Sequence, residues 1–70
     1  MTSEEQMRII INWTNRYRIS PHSKSGWYGQ VRLSNKRIRT VIGPYGSPSI
    51  VVKESYKFVR DTVWEMVNDL

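Results

Sequence analysis

Four side chains that can make paired hydrogen bonds alternate in the middle of the chain. Gln30 and Arg32 are two residues apart, and Arg37 and Arg39 repeat this spacing after a short polar stretch. A period of two places alternate residues on one face of a β-strand. Arginine binds phosphate or the O6 and N7 atoms of guanine bidentately, and glutamine can pair with adenine. The spacing predicts a sheet face suited to nucleic acid, with Tyr28 beside it to stack on a base or contact a phosphate.

A hairpin would bring these residues together. With Asn35-Lys36 as a two-residue loop, Arg32 lies opposite Arg39 and Val31 lies opposite Thr40; a three-residue loop is the alternative. Like charges opposed on a sheet destabilise it by about 0.2–1 kcal/mol, and no carboxylate is near in sequence. A bound polyanion would supply the missing charge. The alternative is a solvated outer face with no ligand.

The charge distribution also indicates a polyanionic partner. The 70 residues include 11 Lys+Arg and 6 Asp+Glu, for a net charge of +5, yet no Asp or Glu lies between Gln6 and Lys53. Solvated surfaces usually mix both signs, so the acid-free stretch suggests a side that faces a polyanion, with composition drift as the alternative. Together with the arginine-bearing sheet face, it makes double-stranded DNA the expected partner. The candidate nucleic-acid-binding residues are Arg18, Lys24, Tyr28, Gln30, Arg32, Lys36, Arg37 and Arg39.

Catalysis and cofactor binding have little support in the sequence. The single histidine, His22, falls in a polar loop with no acid near in sequence to orient it. The chain has no cysteine, too few candidate ligands for a metal site, and no glycine motif that cradles phosphate. We therefore expect a protein that is not an enzyme and has no cofactor.

The length and hydropathy of the chain predict a small single-domain protein without a membrane-spanning segment. Seventy residues suit a single domain, 1–70, with a small core. No apolar run approaches the roughly 20 residues needed to cross a bilayer, and the polar, acidic start does not resemble a signal peptide. We expect an intracellular protein of the cytoplasm, nucleoid or nucleus, with no membrane partner.

The glycines and prolines divide the chain into elements. All of them fall between Pro21 and Pro48, which predicts a helix at each end and strands between. The expected fold is α+β: an N-terminal helix, a small antiparallel sheet of three strands, and a long amphipathic C-terminal helix packed on one sheet face. The first helix is predicted to begin at a capping box of Ser3 and Gln6 and to end near Asn15, before a strand over 16–20.

The C-terminal third is predicted to begin with a turn and continue as a helix. Gly43–Gly46 fits a β-turn, and Ser47-Pro48 fits an N-cap followed by the first helical residue. The helix would extend to about Asp69, although the β-branched residues at 50–52 also permit a strand. Its core stripe is expected to contain Val52, Tyr56, Val59 and Val63.

Two other faces of this helix carry candidate sites. Lys53, Lys57 and Arg60 share a stripe and are candidate phosphate contacts, with a solvated face as the alternative. Val51 and Phe58 are expected opposite the core stripe, where a second neighbour must cover them. The N-terminal helix is the first candidate neighbour, and a partner protein or a homodimer is the other. The candidate partner contacts are Val51, Phe58 and Trp64.

Residues 17–64 resemble a known DNA-binding pattern. A short strand, an aromatic-led strand Trp27–Arg32, a third strand opened by Lys36-Arg37, and a helix preceded by Gly43, Tyr45 and Ser47 are similar to the sheet-plus-helix domains of plant ethylene-response factors. The arm-binding domains of phage and transposon tyrosine recombinases are similar too. The resemblance implies a sheet in the major groove, with contacts from Arg18, Trp27 or Tyr28, Gln30, Arg32, Arg37 and Arg39.

Two other functions stay open. An RNA or single-strand binder would stack bases on an exposed Trp27 or Tyr28, whereas the predicted register turns Trp27 inward. A small protein-interaction module, such as a phage-type regulator that docks on a host complex, would use the second apolar side of the C-terminal helix.

Overall fold

The computed structural model describes residues 1–22, 24, 26–34 and 39–68, without the side chains of residue 22 and of residues 64–68. The described residues form an α+β fold with a three-stranded antiparallel sheet between two helices in sequence, as predicted. The elements in chain order are α1 (Ser3–Trp13), β1 (Thr14–His22), β2 (Gly26–Leu33), β3 (Thr40–Tyr45) and α2 (Pro48–Asn68).

The sheet has the strand order β1-β2-β3, and both ladders are antiparallel. Val31 pairs with Thr40, as the hairpin register predicts. Along β2, Gly29, Val31 and Leu33 are buried and Arg32 is exposed. The period of two therefore separates an inner, core-facing side of the sheet from an outer side.

The first helix begins at Ser3, as predicted, but its cap residue differs from the prediction and the helix ends earlier. Its N-cap is Thr2, whose Oγ1 accepts a hydrogen bond from the backbone N–H of Glu5 at 3.2 Å. The predicted capping box at Ser3 is therefore one residue late. The helix ends at Trp13 rather than near Asn15, because pairing with β2 holds the chain extended from the next residue onward.

Strand β1 is longer than the predicted range 16–20. It runs from Thr14, which pairs with Leu33, to His22, which pairs with Gly26. Hydrogen bonds to β2 along the length of β1 hold the backbone extended. The strand therefore includes residues at both ends of 16–20 whose own alternation does not indicate a strand.

The β-turn predicted for Gly43–Gly46 is wrong, because β3 continues through Tyr45. Tyr45 pairs with Trp27, and the register shifts just before this pair, where β3 has one more residue than β2. This is a β-bulge. Gly43 lies in it with φ of 115°, and the peptide bond to the following proline is cis. A Cβ atom on Gly43 would lie 2.9 Å from the carbonyl oxygen of Trp27, so the bulge requires glycine.

Helix α2 begins as predicted. The backbone N–H of Ile50 donates to Ser47 Oγ at 3.4 Å, and Pro48 is the first helical residue. Residues 50–53 are helical, so the alternative of a strand there is wrong. Serine at the cap and proline at the first position favour this helix start through local geometry alone.

The core lies between the inner face of the sheet, α2 and α1. Helix α2 packs against β2 and β3 on one side and against α1 on another. This confirms that the N-terminal helix is a second neighbour of α2. The buried hydrophobic cluster consists of Ile10, Val31, Leu33, Val52 and Val59.

The assignment of Val51 to a surface for a partner is wrong, and Phe58 is less exposed than expected. Val51 is 0% exposed, and Phe58 is partly buried against the core cluster. The cause is a close approach of α2 to the sheet at Gly29, where no side chain intervenes. A Cβ atom there would lie 2.8 Å from Val51 Cγ1 and 3.2 Å from Ser55 Oγ. The helix therefore turns Val51 and Ser55 toward the sheet.

A partly buried hydrogen bond joins the sheet to α2 and predicts a loss of stability at alkaline pH. Tyr17 donates its hydroxyl to Ser55 Oγ at 2.9 Å, and Ser55 is 0% exposed. Burial raises the pKa of the Tyr17 phenol above its usual 10.0, against the opposing effect of the Ser55 hydrogen bond. Because the folded state holds this proton more tightly than the unfolded state, the stabilisation is complete below pH 10.0 and is lost as the pH rises through the folded-state pKa.

We expect Tyr17→Phe to lower the free energy of unfolding at neutral pH by about 0.5–1.5 kcal/mol, through loss of this hydrogen bond. The difference from the unmodified chain should shrink at strongly alkaline pH, because phenylalanine does not ionise. Urea unfolding followed by circular dichroism at neutral and alkaline pH measures both quantities. A difference that stays constant with pH would contradict the expectation.

Candidate nucleic-acid interface

The outer face of the sheet carries two rows of polar side chains. Arg16 on β1 pairs with Arg32 on β2, and in the next row Arg18 pairs with Gln30. Val41 on β3 continues this second row, because it pairs with Gln30 from the other side. Residues paired across an antiparallel ladder project on the same side of the sheet, so both rows lie on the outer face.

Five polar side chains line one small depression on this face. Its volume is about 70 Å³. Small-molecule sites usually have volumes of about 300–1,000 Å³, so this depression is too small to be such a site. The lining residues are Arg16, Arg18, Gln30, Arg32 and Arg39.

One hydrogen bond orders this surface. Arg39 donates from Nη1 to Gln30 Oε1 at 3.0 Å. The bond holds the Arg39 guanidinium over β2, and it leaves the amide nitrogen of Gln30 to donate outward. Pairing of Gln30 with adenine would also need its oxygen as an acceptor, so Gln30 in this arrangement positions Arg39.

The surface has no neutralising carboxylate among the described residues. The ion pairs among the described residues join Lys57 to Glu54 at 3.6 Å and Arg60 to Asp61 at 3.2 Å. Both pairs lie on α2, away from this surface. The strands themselves contain no Asp or Glu. Arg16 and Arg32 thus oppose each other with no described counter-charge, and an anionic ligand would relieve this repulsion.

The structure brings together four of the eight predicted residues: Arg18, Gln30, Arg32 and Arg39. Tyr28 alternates onto the same face and is partly buried, and Lys24 is exposed in the turn between β1 and β2. Lys36 and Arg37 lie outside the described residues.

Arg16 belongs to this surface, and the sequence analysis did not include it among the candidates. Its partner across the ladder is Arg32. Among the described ladders, two arginines therefore face each other between β1 and β2, whereas the sequence predicted such a pair between β2 and β3. A signal was present: Arg16 and Arg18 are two residues apart, as are Arg37 and Arg39. The register of β1 against β2 was needed to place Arg16 beside Arg32.

The candidate phosphate contacts on α2 do not join this surface. Lys53, Lys57 and Arg60 lie on the helix that packs against the inner face, whereas the arginine cluster lies on the outer face. Lys57 and Arg60 are held in the α2 ion pairs, and the Arg60 guanidinium also lies 5.7 Å from the centre of the Tyr56 ring. The side chain of Trp64 lies outside the described part of the chain.

No family model, curated protein or solved structure matches this chain. Within the described residues, no three His, Cys, Asp or Glu side chains form a group that could hold a metal ion. Neither of the two described helices has the length and apolarity needed to cross a membrane. We therefore base the functional proposal on the outer face of the sheet.

Proposed function

We propose that this chain binds double-stranded DNA, with the outer face of its sheet in the major groove. The observation that carries the proposal is the cluster of Arg16, Arg18, Arg32 and Arg39 on one open face, with no carboxylate beside it among the described residues. Guanidinium groups bind phosphates and guanine edges through paired hydrogen bonds. The repulsion within the cluster makes an anionic ligand favourable.

The dimensions of the sheet suit a duplex. Neighbouring strands lie about 4.8 Å apart, so the backbones of three strands span roughly 10 Å. The major groove of B-DNA is about 12 Å wide. The sheet can therefore lie face-down in the groove while α1 and α2, on its other side, stay outside.

The resemblance to ethylene-response factors and recombinase arm-binding domains is part of this proposal. The resemblance implies a helix behind a three-stranded sheet. In this chain α2 packs on a three-stranded sheet, and α1 is an additional helix. Under the proposal, Arg18, Arg32 and Arg39 make the contacts that the resemblance implies, and Arg16 adds a contact outside that pattern.

The outer face favours a duplex over a single strand. Single-strand binders stack bases on exposed aromatic rings. On this face Tyr28 is partly buried, and the strongly exposed apolar side chain is the aliphatic Val41, at 59%. Among the described residues of this face, arginines outnumber aromatic rings, and arginine forks suit the grooves and phosphates of a duplex.

Fluorescence anisotropy with a labelled random-sequence duplex, and with one of its strands alone, tests the proposal. We expect the duplex to bind more tightly. With about four phosphate-neutralising arginines, log K should fall against log salt with a slope of about −3 to −4. Absence of duplex binding at low salt, or tighter binding of the single strand, would overturn the proposal.

A further inference from the structure

A groove lies between α1 and β1. Its volume is about 310 Å³, and its walls are mostly apolar. Met7 and Ile11 line it from α1, and Tyr17 and Ile19 line it from β1. Ile11 is 59% exposed, so this groove is open to solvent. Arg16 lines both the groove and the arginine cluster.

The groove runs beside a free sheet edge. In the strand order β1-β2-β3, β1 pairs with β2 alone among the described strands, over nine residues from Thr14 to His22. One set of backbone N–H and C=O groups along β1 therefore points away from the sheet. An extended segment can pair with such an edge, and pockets beside the edge select its alternate side chains.

The side chains of β1 define the chemistry that such a segment must have. Tyr17 and Ile19 face the groove, whereas Arg16 and Arg18 face the outer side. A strand paired with β1 would place every second residue beside the groove and the residues between them beside the arginines. Apolar residues fit the first set of positions, and Asp or Glu fits the second.

We propose that β1 accepts an extended segment of a partner protein as a fourth strand, with alternating apolar and acidic residues. The apolar side chains would fill the groove against Met7 and Ile11, and the carboxylates would lie opposite Arg16 and Arg18. This surface shares Arg16 and Arg18 with the proposed nucleic-acid interface and adds the groove and the edge of β1 to them.

Charge disfavours a second copy of this chain as the occupant. None of the three strands contains Asp or Glu. Pairing of two β1 strands would bring Arg16 and Arg18 of both copies onto one face, and like charges opposed across a ladder are destabilising. Arginines on an edge strand also oppose edge-to-edge aggregation. A segment from another protein can supply the carboxylates.

Binding of a synthetic peptide tests the proposal. The probe is a labelled nine-residue peptide of alternating valine and glutamate, and the readout is fluorescence anisotropy at physiological salt. The first control peptide has the same sequence with N-methylated backbone nitrogens on the edge that would pair with β1. It keeps the charge and side chains of the probe but cannot donate the ladder hydrogen bonds. The second control peptide has lysine in place of glutamate.

Two matched variants locate the binding surface. Ile11→Ser changes the groove, and Val41→Ser changes an equally exposed aliphatic residue on β3, since both residues are 59% exposed. Neither should disturb folding, which circular dichroism checks. We expect Ile11→Ser to weaken peptide binding about tenfold, through lost apolar contact, and Val41→Ser to leave it unchanged.

The outcomes separate the proposed docking from simple charge attraction. Weak or absent binding of both control peptides, together with the Ile11→Ser effect, would support a fourth strand on β1. Equal binding of the N-methylated peptide would overturn it, as would equal effects of the two variants or no binding of the probe. A concentration-dependent dimer in sedimentation experiments that Ile11→Ser abolishes would also overturn it, in favour of a second copy. None of these measurements uses DNA, so their failure is separate from failure of the proposed function.

Discussion

Replacement of Arg16 and Arg32 by glutamine is expected to weaken duplex binding about tenfold or more. Both guanidinium groups line the cluster, and under the proposal each donates charge-assisted hydrogen bonds to the duplex. Hydrogen bonds to charged groups contribute about 1.5–3 kcal/mol. Glutamine keeps part of the side-chain length and removes the charge. The salt dependence should also change, because two fewer phosphates are neutralised: the slope of log K against log salt should become shallower by about 2.

The same double variant should fold at least as stably as the original chain. Arg16 and Arg32 are direct ladder partners, and removal of their repulsion is worth about 0.2–1 kcal/mol. Loss of DNA binding with unchanged or raised thermal stability would place the effect on the ligand contact. Thermal unfolding by circular dichroism, beside the anisotropy titration, measures both.

Lys57→Gln/Arg60→Gln is the matched control, because it lowers the net charge from +5 by the same two units. These residues form exposed ion pairs on α2, on the other side of the sheet, so their removal should change stability little. We expect binding close to that of the original chain. If the two double variants lose DNA affinity equally, the DNA is attracted by the overall charge of the protein. That result would contradict an interface on the outer face of the sheet.

The substitution Gly29→Ala is expected to destabilise the fold by about 1–3 kcal/mol. A methyl group at this position would meet Val51 Cγ1 at 2.8 Å and Ser55 Oγ at 3.2 Å, and both of those residues are 0% exposed. Neither neighbour has open space to move into. Helix α2 would have to shift from the sheet, which would weaken packing along the whole interface. Urea unfolding measures the change in free energy.

Gly46→Ala is the matched control for this substitution. Nothing lies within 4 Å of a Cβ atom at Gly46, and its φ is not positive. The free energy of unfolding of the Gly46→Ala variant should therefore change by only a few tenths of a kcal/mol.

A second check of the Gly29 contact uses Val51→Ala, which removes the methyl group nearest to Gly29. Because the two residues are in contact, the costs of Gly29→Ala and Val51→Ala should be less than additive in the double variant. Strictly additive costs would show that Gly29 is not packed against Val51.

Much of the architecture follows from local patterns in the sequence. The alternation in β2 predicts its buried and exposed residues, because a pleated strand has a period of two whatever packs on it. The Ser47-Pro48 pair predicts the start of α2, because its capping geometry needs only the neighbouring residues. Gln30, Arg32 and Arg39 were candidates on the basis of this alternation, and Arg18 was a candidate through the family resemblance. The structure brings the four together.

The errors arose where two elements meet. Val51 lies on the predicted outer side of α2, yet it is buried because Gly29 lets the helix approach the sheet closely and in a particular rotation. Residues 43–45 of the predicted turn belong to β3, because a bulge opposite β2 accommodates one additional residue. Local periodicity contains no information on helix rotation or on a bulge, since both depend on the neighbouring element.

The sequence by itself therefore determined the fold class, the acid-free basic stretch and the alternation that separates the two sheet faces. Only the tertiary structure decided that Arg16 joins the cluster, that its opposed partner is Arg32, and that an open groove lies beside the free edge of β1. The physical reason is that strand register and helix placement are set by long-range pairing and packing, which short sequence patterns do not specify.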